Sequence, residues 1–119
     1  MSKKILICDD DAGILDMLSI ILEDAGFETI SELNSLNVYK VIQTEKPDLL
    51  LLDLWMPVLS GDQVLKTIRV DPEKKNLPVL VISASMEGRT IAREAGANDY
   101  LAKPFDIDQL INKVKVLLN

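Results

Sequence analysis

Short β-branched or leucine-rich runs alternate in this chain with longer segments whose apolar residues recur at helical spacing, and the alternation repeats five times. The runs are Lys4 to Cys8, Phe27 to Ser31, Leu49 to Asp53, Val79 to Ser83 and Asp99 to Ala102. Their length and composition are those of strands. Leu49-Leu50-Leu51-Leu52 and Val79-Leu80-Val81-Ile82 are apolar throughout, as expected of strands covered on both faces in a parallel sheet.

Five helices fill the intervals. Ile14, Met17, Leu18, Ile21, Leu22 and Ala25 form a stripe that stops at Gly26, a residue suited to a left-handed helix end. A second helix is expected from Ser35 to Glu45, before Pro47. A third starts with Ser60 and Gln63 at capping-box spacing and buries Val64, Leu65 and Ile68 before Asp71-Pro72. The fourth carries Ile91, Ala92 and Ala95 and stops at Gly96; Gly88 near its start predicts a mobile or poorly formed first turn. The fifth runs from Asp106 to about Leu118, with Ile107, Leu110, Ile111, Val114, Leu117 and Leu118 on one face.

Strict strand-helix alternation implies right-handed crossovers and a doubly wound parallel sheet with helices on both faces. The expected architecture is a flavodoxin-like (βα)5 fold with strand order 2-1-3-4-5, formed by residues 1–119 as one domain. In such sheets ligands bind beyond the carboxyl ends of the strands, where the strand order reverses.

Charge and composition narrow the chemistry. The chain of 119 residues is 48% hydrophobic and 27% charged, which suffices for a core without disulfides. Its net charge of -6 argues against a phosphate-backbone surface, so no direct nucleic-acid binding is expected. With no histidine, imidazole-metal and Ser-His-Asp mechanisms are excluded. The one cysteine, Cys8, falls in an apolar run and reads as a small buried hydrophobe. Only four apolar residues separate Lys4 from Asp9, too few for a signal-peptide core, and no run approaches a membrane span. A soluble cytoplasmic protein, with no membrane partner, is the expectation.

The strand ends carry the chemistry. Asp9 and Asp10 end the first strand, Asp53 the third and Ser83 the fourth, while Lys103 follows the fifth. All five converge on one rim. Unit charges 4 Å apart repel by about 4 kcal/mol at an effective dielectric of 20, so a carboxylate cluster needs a cation. Oxygen ligands alone suit Mg²⁺, with Mn²⁺ as an alternative, better than zinc. Asp10 and Asp53 are the expected direct ligands, Asp9 acts through water, and the backbone carbonyl of Trp55 completes the set. A carboxylate can also attack phosphorus to form a mixed anhydride, and Asp53 is the central one. Lys103 and the Ser83 hydroxyl can each meet a phosphoryl oxygen. Asp11 is assigned to capping the first helix.

Ile5-Leu6-Ile7-Cys8-Asp9-Asp10-Asp11, Leu51-Leu52-Asp53-Leu54-Trp55-Met56-Pro57, Gly61, Ser83-Ala84 and Tyr100-Leu101-Ala102-Lys103-Pro104-Phe105 together resemble the receiver domain of bacterial two-component response regulators. The resemblance covers nearly the whole chain. It implies a phosphoacceptor at Asp53, charged from the phosphohistidine of a sensor histidine kinase or phosphotransfer protein, or from acetyl phosphate, with Mg²⁺. It further implies Asp9 and Asp10 as the metal-binding pair, Lys103 as the phosphate-contacting lysine, a cis-proline at Pro104, and Ser83 and Tyr100 as switch residues. The switch would remodel the surface of the fourth helix, fifth strand and fifth helix toward a downstream effector or a homodimer formed on phosphorylation. Such a module assists its own phosphorylation and dephosphorylation and is not a multiple-turnover enzyme.

Two features depart from that pattern. Ser83 and Tyr100 are about two positions closer than the resemblance leads one to expect, which predicts a shortened fourth-helix region and a non-standard partner or dimer surface. Trp55 reads either as a partly exposed packing residue or as a ring that keeps water from the acyl phosphate. Competing functions are weaker. An aspartate-nucleophile phosphohydrolase wants a second Asp two residues after the first, where this chain has Trp55. A flavin or nucleotide module wants glycines after the first strand, where Asp9-Asp10-Asp11 would repel phosphate. A phosphorylation-independent interaction module of the same fold would not need the complete acidic and basic set.

Overall fold

The computed structural model describes residues 2–119. Five parallel strands, β1 (Lys4–Cys8), β2 (Glu28–Glu32), β3 (Leu49–Asp53), β4 (Val79–Ser83) and β5 (Asp99–Ala102), form one sheet in the order β2-β1-β3-β4-β5. Five helices connect or follow them: α1 (Ala12–Asp24), α2 (Val38–Glu45), α3 (Gly61–Val70), α4 (Gly88–Ala95) and α5 (Ile107–Leu118). This is the expected flavodoxin-like architecture. Among the described residues no helix is long and apolar enough to cross a membrane.

The apolar runs of β3 and β4 are buried because both faces of the sheet are covered. Period-2 alternation divides each run. Leu6, Cys8, Leu50, Leu52, Val79 and Val81 pack with α2, α3 and α4 residues such as Ile42, Leu65, Ile68 and Ala92. Ile5, Ile7, Leu49, Leu51, Leu80 and Ile82 pack with Leu18 and Leu22 of α1 and Leu110 and Val114 of α5. Cys8 is fully buried, and burial pushes its thiol up to about 12, so it serves as a packing residue.

Several expectations shift in detail. Strand β2 begins one residue later than predicted, because the Phe27 N–H turns back to the Leu22 carbonyl and Glu28 is the first to pair, opposite Lys4, with its N–H donated to the Lys3 carbonyl. The predicted second helix opens as a 3₁₀ turn over Ser35–Asn37 and becomes α-helical at Val38. Met17 is exposed and Leu15 buried in its place on α1. The first turn of α4 is well formed, contrary to the reading of Gly88. That residue is buried, its N–H bonds to the Ser85 carbonyl at 3.1 Å, and the Ile91 N–H bonds to the Glu87 carbonyl at 3.2 Å. Glycine here answers a need for space.

Candidate functional site

Strand order reverses between β1 and β3, which leave the sheet side by side with Cys8 opposite Leu52. Asp9 follows immediately on β1 and Asp53 ends β3, so their side chains share the crevice. Carboxylate oxygens of Asp9, Asp10 and Asp53 lie within 4.8 Å of one another. Asp9 and Asp53 are only 1% and 4% exposed, whereas Asp10 opens to solvent.

The loop after β1 holds the pair in place. Asp9 accepts the Asp11 N–H at 2.9 Å, and Asp11 in turn caps α1 by accepting from Gly13 N–H at 2.8 Å and Ile14 N–H at 3.3 Å. The expected capping role of Asp11 is therefore met. Lys103 reaches across from β5, its Nζ 3.2 Å from Asp9 Oδ2 and 3.4 Å from Asp53 Oδ1. The Lys103–Pro104 peptide is cis, as the resemblance implied.

Electrostatics follow from this crowding. Burial, then the charge of Asp9, pushes the Asp53 carboxyl up to about 6; Lys103 opposes that rise, and Asp10 adds to it. Burial pulls Lys103 down, but the carboxylates of Asp53 and Asp9 outweigh it and hold the ammonium above its ordinary value. One lysine thus serves two buried carboxylates with a third nearby. The cluster retains an excess of negative charge, and its donors are all oxygen, so it fits a hard divalent cation.

The β3–α3 connection borders the crevice. Trp55 is 46% exposed, and Met56 turns inward with its sulfur 3.5 Å from Cys8 Sγ. Val58 adopts a left-handed conformation, and the loop returns so closely that the Gly61 N–H bonds to the Leu54 carbonyl at 2.8 Å. A Cβ on Gly61 would fall 2.4 Å from the Asp53 carbonyl oxygen. That requirement has no local signature in the sequence, since it concerns an approach between residues eight positions apart. The predicted capping pair is present, with Gln63 Oε1 accepting the Ser60 N–H at 3.2 Å.

At the end of β4 the Ser83 side chain is fully buried and accepts the Ser85 N–H at 3.1 Å. Tyr100 lies inward from β5, its hydroxyl donating to the Ser85 carbonyl at 2.6 Å, with the Ser83 carbonyl at 3.3 Å. Arg89 lies over its ring, 5.3 Å from the centroid. Sequence reasoning missed Ser85, whose backbone ties Ser83 to Tyr100. It also missed Arg69, which binds the carbonyls of Gly96, Lys75 and Leu77 and the side chain of Asn98, clipping α3 to the turns flanking β4 and β5.

A doubly wound parallel sheet with an acidic crevice, a strand-end aspartate and a bridging lysine defines a class of phosphate-handling signalling domains. The sequence matches the response regulator receiver domain over residues 5–115, and the chain belongs to that family. It is 38% identical to sporulation initiation phosphotransferase F of Bacillus subtilis, over 99% of this chain and 95% of that protein. It is 37% identical to the alkaline phosphatase synthesis transcriptional regulatory protein of the same organism, over 99% of this chain and 49% of that one. The chain spans about half the length of the transcriptional regulatory proteins it matches. Among solved structures, chemotaxis protein CheY4 of Vibrio cholerae superposes with a TM-score of 0.91 at 28% identity, covering 99% of this chain and 100% of that one. Receiver domains are phosphoacceptors in two-component signalling, served by histidine kinases or phosphotransfer proteins, and bind Mg²⁺ through an acidic pocket.

Proposed function

We propose that residues 1–119 act as one receiver domain in which Asp53 takes the phosphoryl group. The observation that carries this reading is the joining of Asp53, Asp9 and Lys103 in one buried cluster at the strand-order reversal, with Asp10 at its mouth. A carboxylate oxygen of Asp53 forms the new bond to phosphorus while the phosphorus–nitrogen bond of a donor phosphohistidine breaks and the imidazole leaves. The module is then substrate and assistant together, with no turnover of small substrates.

Asp10, Asp53 and the backbone carbonyl of Trp55 would hold Mg²⁺ directly, and Asp9 would do so through water. The ion would supply positive charge to the oxygens that share the transferring group. Lys103, already charged and aimed between Asp9 and Asp53, would pair with a phosphoryl oxygen. The Ser83 hydroxyl would donate to another. A phosphoryl group adds roughly -1.5 to -2 charges. That charge draws Ser83 toward Asp53 and biases the Ser85 link to Tyr100, so the signal leaves through α4, β5 and α5 to an effector or a second copy. A cytoplasmic location agrees with this role.

Acetyl phosphate with Mg²⁺, followed by intact-mass measurement, tests the reading. One phosphoryl group on the wild type, none on Asp53→Ala and none in a chelator is the expected pattern. Equal labelling of Asp53→Ala would refute it.

A further inference from the structure

Gly88 is the first residue of α4 and is buried against the end of β4. A Cβ built there would lie 2.9 Å from Ser83 Oγ, 3.0 Å from Ser83 Cβ and 3.2 Å from Leu54 Cδ2. Rotating the serine hydroxyl would relieve the first contact only, since the Ser83 Cβ is fixed by the strand. Leu54 is fully buried in the core, so the third contact has little room to give either. Glycine weakens helices, and this one has no left-handed backbone to serve. Its one structural benefit is the close approach.

That approach closes a compact set of bonds. The Ser85 carbonyl accepts both the Gly88 N–H at 3.1 Å and the Tyr100 hydroxyl, while the Ser85 N–H donates to Ser83 Oγ. A hydroxyl that accepts there still has its own proton to give. With only Ala84 to Glu87 between β4 and α4, the seating of the first helical turn and the placement of Ser83 are one geometric problem.

We propose that Gly88 is a positioning residue of the phosphoacceptor site: presenting no side chain where α4 meets β4, it seats the helix on Ser83 and fixes where the serine hydroxyl gives its proton. The proposal rests on the reading of Asp53 as phosphoacceptor. An added methyl group would either turn the Ser83 hydroxyl out of its bond from Ser85 or lift the first turn of α4. In both cases the hydroxyl is displaced from a phosphoryl group on Asp53, while Asp9, Asp10 and Asp53 keep their places.

Binding of Mg²⁺ alone, and of beryllofluoride with Mg²⁺, is followed through Trp55 fluorescence in wild type, Gly88→Ala, Ser83→Ala and the double variant. Gly88→Ala is expected to keep its Mg²⁺ affinity and to lose about tenfold or more in beryllofluoride affinity, the scale of a hydrogen bond to a charged group. In the Ser83→Ala background the same substitution is expected to cost nothing further, because the hydroxyl it positions is gone. Wild-type beryllofluoride affinity in Gly88→Ala, multiplying losses in the double variant, or loss of the Mg²⁺ response with Gly88→Ala would each overturn the proposal. A wild type that binds no beryllofluoride would instead overturn the assignment of Asp53.

Discussion

Replacing Asp53 by asparagine removes a charge from the most crowded point of the crevice and keeps the side-chain shape. Burial and Asp9 move this acid from its ordinary 3.8 up to about 6 even with Lys103 beside it. At 1.36 kcal/mol for each tenfold change, ionising it in the folded chain therefore costs about 3 kcal/mol more than in the unfolded chain. The folded state holds the proton more tightly, so the cost is absent below about pH 4, grows as pH rises and is complete above about 6. Without divalent metal, Asp53→Asn should be more stable than wild type by up to about 3 kcal/mol at pH 7.5. At a urea slope of about 2 kcal/mol/M this moves the unfolding midpoint by about 1.5 M. Urea titrations in chelator from pH 4 to 8 would show the advantage opening across that window. A gain independent of pH, or none, would refute the electrostatic account of the crevice.

Gly61→Ala drives a methyl group into the Asp53 carbonyl oxygen and Leu54 Cα, backbone atoms that cannot step aside, and should cost about 2–3 kcal/mol by urea unfolding. Arg69→Ala strips the Gly96, Lys75 and Leu77 carbonyls and Asn98 of their common donor, and should cost about 2–4 kcal/mol in the same assay. Trp55→Asn should shorten the lifetime of the phosphorylated protein by opening the rim of the crevice to water; an unchanged decay rate would leave the ring a packing role alone.

Much of this structure was legible before any coordinates. The runs from Leu49 and from Val79 read naturally as buried strands, and once five strands alternate with helices, the residues at their carboxyl ends share one rim. Asp9, Asp53 and Lys103 are brought together for that reason, though 94 positions separate the first from the last. What eluded the sequence depends on contacts between distant backbone segments. Gly88 resembles a weak helix start until the nearness of Ser83 is known, and Gly61 resembles an ordinary turn residue until the loop is seen returning onto Asp53. Arg69 resembles any surface arginine of an amphipathic helix, because its partners lie on two later connections, those before β4 and β5. The start of β2 depended on whether Phe27 pairs with the sheet or closes the turn after α1.

The phosphoryl group is proposed to reside on Asp53. Borohydride reduction of the protein after treatment with acetyl phosphate and Mg²⁺ converts an aspartyl phosphate to homoserine, which peptide mass spectrometry then locates. Homoserine at position 53 alone, and only when Mg²⁺ is present, is the predicted result. Conversion at Asp9 or Asp10, or at no position, would contradict it.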